Sequence, residues 1–290
     1  VANVLPNGKV ALVEGSDDIG GTRTSISQQF AEELGISITD ILPHVADTDS
    51  IGFTSNTGGS SVTFKSGFAA YQAALDVKKQ IVERAAITWE ASSDEIIYRD
   101  GGVHHLSKPE LSLTFTDIAK DANQTGGPIV GRANVTSTGA ARAYAAMIVD
   151  VSVDPETGKT TISRCTAFQD AGKAIHPSYV EGQIQGGAVQ GIGWALNEEY
   201  FMSGDGHMVN ATLLDYRMPV ANDLPMIEPV IVEVPNPGHP YGVRGVGEAG
   251  IVPPLAAVAN AVSRAIGVRM VDLPMSPGAV SGKIMPPAEV

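Results

Sequence analysis

The hydrophobic pattern switches repeatedly between short β-branched runs and apolar stripes of helical period. Residues 9–13, Lys-Val-Ala-Leu-Val, predict a strand. A helix follows over residues 24–34, with Ile26, Phe30, Ala31 and Leu34 on one face. Beyond residues 36–46 lies a polar loop, 47–59, rich in Asp, Thr, Asn and Gly. Ser60 or Ser61 can then cap a long helix reaching about residue 91. The stripe of that helix, from Ala69 and Ala70 through Ala73, Ala74, Val77 and Ile81 to Ala85, is mostly small and suits close packing. Residues 96–103 predict a hairpin turning at Asp100-Gly101, and residues 116–122 a short helix. Strands over 144–153 and 160–168 pair across Asp154-Pro155-Glu156-Thr157-Gly158. The helix over 178–196 carries Gly182, Gly186, Gly187, Gly191 and Gly193. An interior glycine costs about 1 kcal/mol against alanine, so another backbone or a ligand needs that face. A strand over 227–234 and a helix over 255–266 complete the pattern. Hairpins mixed with helices imply an α+β fold rather than a strict βαβ series. The polar, Gly-rich stretch 126–139 marks a boundary between two subdomains, 1–130 and 131–290.

Composition narrows the function. A chain of 290 residues, 43% of them hydrophobic, can bury a core in each of two subdomains. Its net charge of -13 argues against nucleic acid or an anionic membrane as the main partner. The single cysteine, Cys165, excludes an internal disulfide framework and fits a reducing compartment. Its place in a predicted strand makes it a buried, inert thiol rather than a nucleophile. No apolar run approaches the roughly 20 residues of a membrane span, and the N-terminus lacks signal-peptide regions. The expected location is cytoplasmic. The absence of an initial Met fits either processing or a fragment. The six histidines show no metal-ligand spacing, so any metal must be held by something other than the protein. No G-x-S-x-G or Walker loop is present.

Three Gly-rich segments precede helices: Gly20-Gly21-Thr22-Arg23-Thr24, Thr57-Gly58-Gly59-Ser60-Ser61, and residues 242–250. A helix N-terminus carries unpaired N–H groups and partial positive charge, which suits phosphate or another anion. Good helix starts alone would also explain any one of them. Gln183 and Gln190 are seven apart and share a helical face; their amides fit a heterocycle such as a pterin, or simply solvent. Glycines at 242, 245, 247 and 250 allow positive φ and close approach to a ligand. Glu248, the one carboxylate among them, either caps the following helix or faces a ligand as a base. Gly245-Val246-Gly247-Glu248-Ala249-Gly250 also matches the dinucleotide turn, with residues 268–272 as a strand ending in Asp272. Against that reading, no strand leads into Gly245, Pro253-Pro254 delay the helix, and Glu248 would sit beside the pyrophosphate.

Four ordered motifs act together: Asp170-Ala171-Gly172-Lys173-Ala174-Ile175-His176-Pro177; the Gly182 to Gly193 helix followed by Glu198-Glu199; Gly245-Val246-Gly247-Glu248; and Pro253-Pro254-Leu255-Ala256-Ala257-Val258-Ala259-Asn260-Ala261. Over nearly its whole length the chain thereby resembles the C-terminal half of the molybdopterin-binding subunit of the xanthine dehydrogenase/aldehyde oxidase family of molybdenum hydroxylases. The resemblance implies an α+β molybdopterin-binding domain of mixed sheets and packed helices, with the active-site Glu in the second subdomain. It implies an oxidoreductase that inserts a water-derived oxygen at carbon of an N-heteroaromatic or aldehyde substrate, with Glu248 as general base. Gln190 matches a glutamine hydrogen-bonded to the pyranopterin. Gly58, Gly59 and Ser60 match a loop approaching the dithiolene, and Gly20, Gly21, Thr22 and Arg23 match the other cofactor loop; Gly247 accompanies the glutamate. The implied cofactor is molybdopterin, the cytosine dinucleotide form included, whose dithiolene rather than the protein holds molybdenum.

The chain departs from the pattern in two places. Gly21 stands where many members carry the Gln of a Gly-Gln-Gly loop. The family's N-terminal half has no counterpart here, which implies either a molybdopterin subunit split in two, as in nicotinate dehydrogenase-like enzymes, or a fragment. Expected partners are therefore an N-terminal-half molybdopterin subunit, a 2Fe-2S subunit and an FAD subunit, without which the chain is expected to be inactive. Two other classes remain: an NAD-binding dehydrogenase domain, and a non-catalytic assembly subunit whose Glu248 is buried against a helix end.

Overall fold

The computed structural model describes residues 1–45, 47–51, 54–136 and 142–285. Parts of two expected loops, residues 52 and 53 and residues 137–139, lie outside them, as does residue 46. The chain divides into two compact units, Val1–Ala141 with Pro235–Val243, and Arg142–Val234 with Arg244–Val290.

In the first unit β1 (Ala2–Val4) pairs antiparallel with β2 (Val10–Glu14). Helix α1 (Thr22–Leu34) then carries the chain to β3 (Ile41–Val45), parallel to β2. After the single turn α2 (Thr48–Ile51) comes the long α3 (Val62–Trp89). A second, antiparallel sheet follows, β4 (Ile96–Arg99), β5 (Gly102–His105) and β6 (Ser112–Thr114), then α4 (Phe115–Asp121). The short β7 (Val130–Gly131) closes the first sheet in the order β3-β2-β1-β7. The predicted Asp100-Gly101 turn has both residues at positive φ, 49° and 71°, as a tight hairpin requires. Ile26, Phe30 and Leu34 of α1 pack with Ala70, Ala73, Val77 and Ile81 of α3 in one core. The small stripe of α3 lets the two helices close in, and Gln29 of α1 donates to the Thr63 carbonyl at 3.2 Å.

The second unit is built on β8 (Ala145–Val153) and β9 (Thr160–Asp170), the expected hairpin, with a bulge at Asp150/Val151. Helix α5 (Pro177–Leu196) follows, and β10 (Ile227–Val232) returns parallel to β9, giving the order β10-β9-β8. Helices α6 (Val252–Ile266) and α7 (Pro277–Ile284) complete it. Ile184, Ala188 and Ile192 of α5 pack with Val258 and Val262 of α6 and with Ile162, Cys165 and Ala167 of β9. Cys165 is fully buried, and burial pushes its thiol up to about 11, the behaviour of an inert core group. Residues 249–266 are long and apolar enough to cross a membrane, but Val258 and Val262 belong to this core.

Two expectations fail here. Pro253 and Pro254 do not delay α6 but lie in its first turn. Their missing N–H groups would have had no intrahelical partner there. Residues 268–272 form no strand, and none leads into Gly245, since β10 ends at Val232. The strand–turn–helix frame of a dinucleotide fold is therefore not built.

Candidate active site

Each Gly-rich helix start has its own local reason. At α1, Gly20 and Gly21 take φ of 60° and 79°, and Thr22 Oγ1 accepts from the Ile19 amide at 3.2 Å. A glutamine at position 21 would sit in that left-handed region at a cost of about 1–2 kcal/mol. Asp18 accepts from the Arg23 amide at 3.0 Å and pairs with the Arg23 guanidinium at 3.0 Å. The amides of Thr24 and Ser25 donate to the Gly21 carbonyl. The protein's own groups thus fill the anion position expected at this terminus. At α6 the two prolines remove donors from the first turn, so that start is not an anion cradle either.

The start of α3 differs. Gly59 and Ser60 follow one another at φ of 63° and 53°, and a Cβ on Gly59 would meet nothing within 4 Å. Ser61 does not cap the helix as expected; its hydroxyl donates back to the Gly58 carbonyl at 2.9 Å. Asn56, Thr57 and Ser61 line a cleft of about 540 Å³ together with Glu14, Ser16, Lys65 and Ser66. Ser16 and Ser66 share a hydroxyl hydrogen bond of 2.8 Å, and Ser16 reaches Glu14 at 3.3 Å. Burial pushes the Glu14 carboxyl up to about 7, Asp18 adding to the effect and the Ser16 hydroxyl opposing it. Nothing in the local pattern singles out Glu14, because its carboxylate simply follows a strand.

In the second unit four of the five glycines of α5 fall into two groups, while Gly193 faces the Glu198 and Pro219 side chains. Gly187 and Gly191 let a neighbouring backbone in: an added Cβ would stand 2.9 Å from the Gly250 carbonyl carbon and 2.8 Å from the Ile251 oxygen, respectively. Gly182 and Gly186 have nothing within 4 Å of an added Cβ. With Gln183 and the exposed Gln190 they make an open face of the helix.

The incoming backbone is the loop bearing Glu248. Of its glycines only Gly242 has positive φ, 70°; Gly250 instead allows close packing on Gly187 and the Ile184 carbonyl. Gly247 and Glu248 are exposed. Glu248 occupies the N-cap position of a 3₁₀ turn (Ala249–Ile251), yet its side chain does not cap that turn. The buried, helix-capping Glu248 of an assembly subunit is not what forms.

Gln190, Gly247 and Glu248 thus belong to the second unit, and residues 20–23 and 58–60 to the first. Gly59 in the first unit, and Gly182 and Gly186 in the second, each leave open space where a side chain would stand. Among the described residues no group of three or more His, Cys, Asp or Glu could hold a metal.

Residues 1–225 match the molybdopterin cofactor-binding domain model. The chain is 34% identical over 285 residues to a xanthine dehydrogenase molybdenum-binding subunit of Escherichia coli O157:H7, covering 95% of this chain and 38% of that one. It is 32% identical over 286 residues to the 6-hydroxypseudooxynicotine dehydrogenase complex subunit gamma of Paenarthrobacter nicotinovorans, covering 93% and 35%. Quinoline 2-oxidoreductase from Pseudomonas putida 86 superimposes with a TM-score of 0.86 at 28% identity, over 98% of this chain and 37% of that one. A Cu,Mo-containing CO dehydrogenase does so with a TM-score of 0.87 at 25% identity, over 97% and 37%. The chain belongs to the xanthine dehydrogenase/aldehyde oxidase family of molybdenum hydroxylases, through its molybdopterin cofactor-binding domain. Its fold is α+β, and it spans little more than a third of the length of these curated relatives.

Proposed function

We propose that the chain supplies part of the active site of a molybdenum hydroxylase, with Glu248 as general base. The observation that carries this is the placement of Glu248: exposed, not capping its turn, on a loop seated against Gly187 of α5. That helix also presents the open face of Gly182, Gln183, Gly186 and Gln190. When bound, the molybdenum centre supplies Lewis acidity and the electron-accepting step of the oxidation. The protein's part is positional and protolytic. The Gln190 amide donates to and accepts from the pterin edge, while residues 58–60 bring backbone, unshielded by Cβ at Gly59, against the cofactor. Residues 20–23 shape the other cofactor loop through the Gly20-Gly21 turn. Glu248 takes the proton released as a water-derived oxygen is added to the substrate carbon.

The substrate class is an N-heteroaromatic ring or an aldehyde. Relatives named for xanthine, nicotine and quinoline support the first, and an aldehyde oxidoreductase subunit of E. coli at 28% identity supports the second. The cofactor is molybdopterin, its cytosine dinucleotide form included, and 2Fe-2S and FAD subunits carry the electrons away. The remainder of the molybdenum subunit, in the same or another chain, closes the site. Residues 197–226 support that requirement: they hold no strand or α-helix, and Leu213, Leu214 and Met226 are 83%, 91% and 88% exposed. We assign this apolar arm to contact with that remainder of the molybdenum subunit, the length of the relatives outside the stretch matched here.

Elemental analysis of the native complex, paired with Glu248→Gln, tests the reading. Molybdenum retained with turnover lost is expected. Absence of molybdenum from the active complex would overturn it.

A further inference from the structure

The Asp170 motif at the end of β9 has no part in the reading above, yet it grips the loop that carries Glu248. Gln169 is 1% exposed and donates through Nε2 to the Val246 carbonyl at 2.7 Å. Its neighbour Asp170 points to the other face of the sheet, as successive strand residues do. Asp170 Oδ1 accepts from the amides of Gly172 at 2.9 Å and Val234 at 3.1 Å, and Oδ2 pairs with Arg244 Nε at 3.2 Å. Arg244 in turn donates from Nε to the Val234 carbonyl at 2.9 Å and from Nη1 to the Arg142 carbonyl at 2.7 Å. Its backbone amide donates to Ala171 at 3.1 Å. Arg244 and Val246 flank Gly245, so the loop is held from both faces of one strand end.

We propose that Gln169, Asp170 and Arg244 are positioning residues for Glu248, acting through the backbone of residues 244–248. This rests on the reading of Glu248 as the base. The physical need is plain: a stretch with glycines at 245, 247 and 250 has little stiffness of its own, and a proton acceptor must be held within a fraction of an ångström of its working position. The stiffness comes from β9, where Gln169 pairs in register with Ala145 of β8 and Ile231 of β10, the centre strand of its sheet. The Gln169 contact is two residues from Glu248. Its Oε1, buried without a partner, lies 3.4 Å from where a Cβ on Gly250 would stand, so the side chain also bounds the far end of the loop. Asp170 ties together three segments: it accepts from the backbone of the turn at Gly172 and of Val234 just beyond β10, and pairs with the Arg244 side chain at the start of the Glu248 loop.

The test uses Gln169→Leu, with Gln169→Met as the second variant should the first not fold, each checked by thermal melting. On the full chain without cofactor, amide exchange over residues 244–250 is expected to rise about 5-fold or more while exchange in α3 stays unchanged. In the assembled enzyme kcat is expected to fall about 10-fold or more with KM within about 2-fold, and its pH profile to shift, at unchanged molybdenum content. Unchanged exchange over 244–250 together with an unchanged pH profile would overturn the inference. Should Glu248→Gln itself leave turnover intact, the base reading fails, and the positioning role falls with it whatever the exchange result. Loss of turnover in Glu248→Gln with wild-type behaviour in both Gln169 variants would remove the positioning role alone.

Discussion

Glu14 and Glu248 are both carboxylates that open onto Gly-containing loops, and their surroundings separate them. Glu14 is partly buried at the end of β2, and its folded-state pKa of about 7 lies above the ordinary 4.5. Folding therefore takes up a proton between these two values. Stability from this group is fully present below pH 4.5 and lost as pH rises through 7. We expect Glu14→Gln to melt above wild type at pH 8, by about 1–2 kcal/mol after allowance for solvent, and to match it near pH 4.5. Thermal unfolding at the two pH values checks this; equal melting at both would contradict it. Glu248 is exposed, and the role proposed for it does not depend on burial. Its removal is therefore expected to leave the melting temperature within about 2 °C of wild type, as for surface substitutions. A drop of several degrees would make Glu248 structural.

Among the elements, α5 distinguishes two uses of glycine that the sequence alone presents as one. Gly186→Ala fills open space and adds helix propensity, so the chain without cofactor should gain about 0.5–1 kcal/mol, while cofactor retention falls if that face receives the pterin. Gly187→Ala drives a Cβ against the Gly250 backbone and should cost about 1–3 kcal/mol. Urea denaturation of both variants reads the sign; the same sign for both would refute the division. The element order was largely legible because the α1, α3 and α5 stripes and the β8–β9 hairpin are strongly periodic. What escaped was nonlocal. The strands β1 and β7 are three and two residues long, too short for a sequence period, and are defined by their pairing with each other and with β2. Glycines at 242, 245, 247 and 250 all allow positive φ, but only Gly242 uses it, and packing on Gly187 explains Gly250. The filling of the α1 N-terminus by Asp18 depends on a turn four residues upstream of the helix start. Gln169 and Asp170 lay inside or beside a quoted motif, but their grip on residues 244–246 crosses more than 70 positions.

At the scale of the whole molecule, the chain spans little more than a third of the length of its curated relatives. The apolar arm at 197–226 is where we expect the remainder of the molybdenum subunit to bind. Leu213→Asp with Leu214→Asp should abolish association with the rest of the molybdenum subunit and leave the melting temperature of the stretch described here unchanged, because both side chains are exposed. Retained assembly in that variant would place the contact elsewhere. Only the assembled enzyme tests the role given to Glu248. The most direct measurement is the rate at which one equivalent of substrate reduces the enzyme, without air, in wild type and Glu248→Gln matched for molybdenum content. This isolates the chemical step from later electron transfer. A fall of about 10²-fold or more in Glu248→Gln is predicted, the loss expected for a missing general base; an equal rate at equal molybdenum would contradict the account.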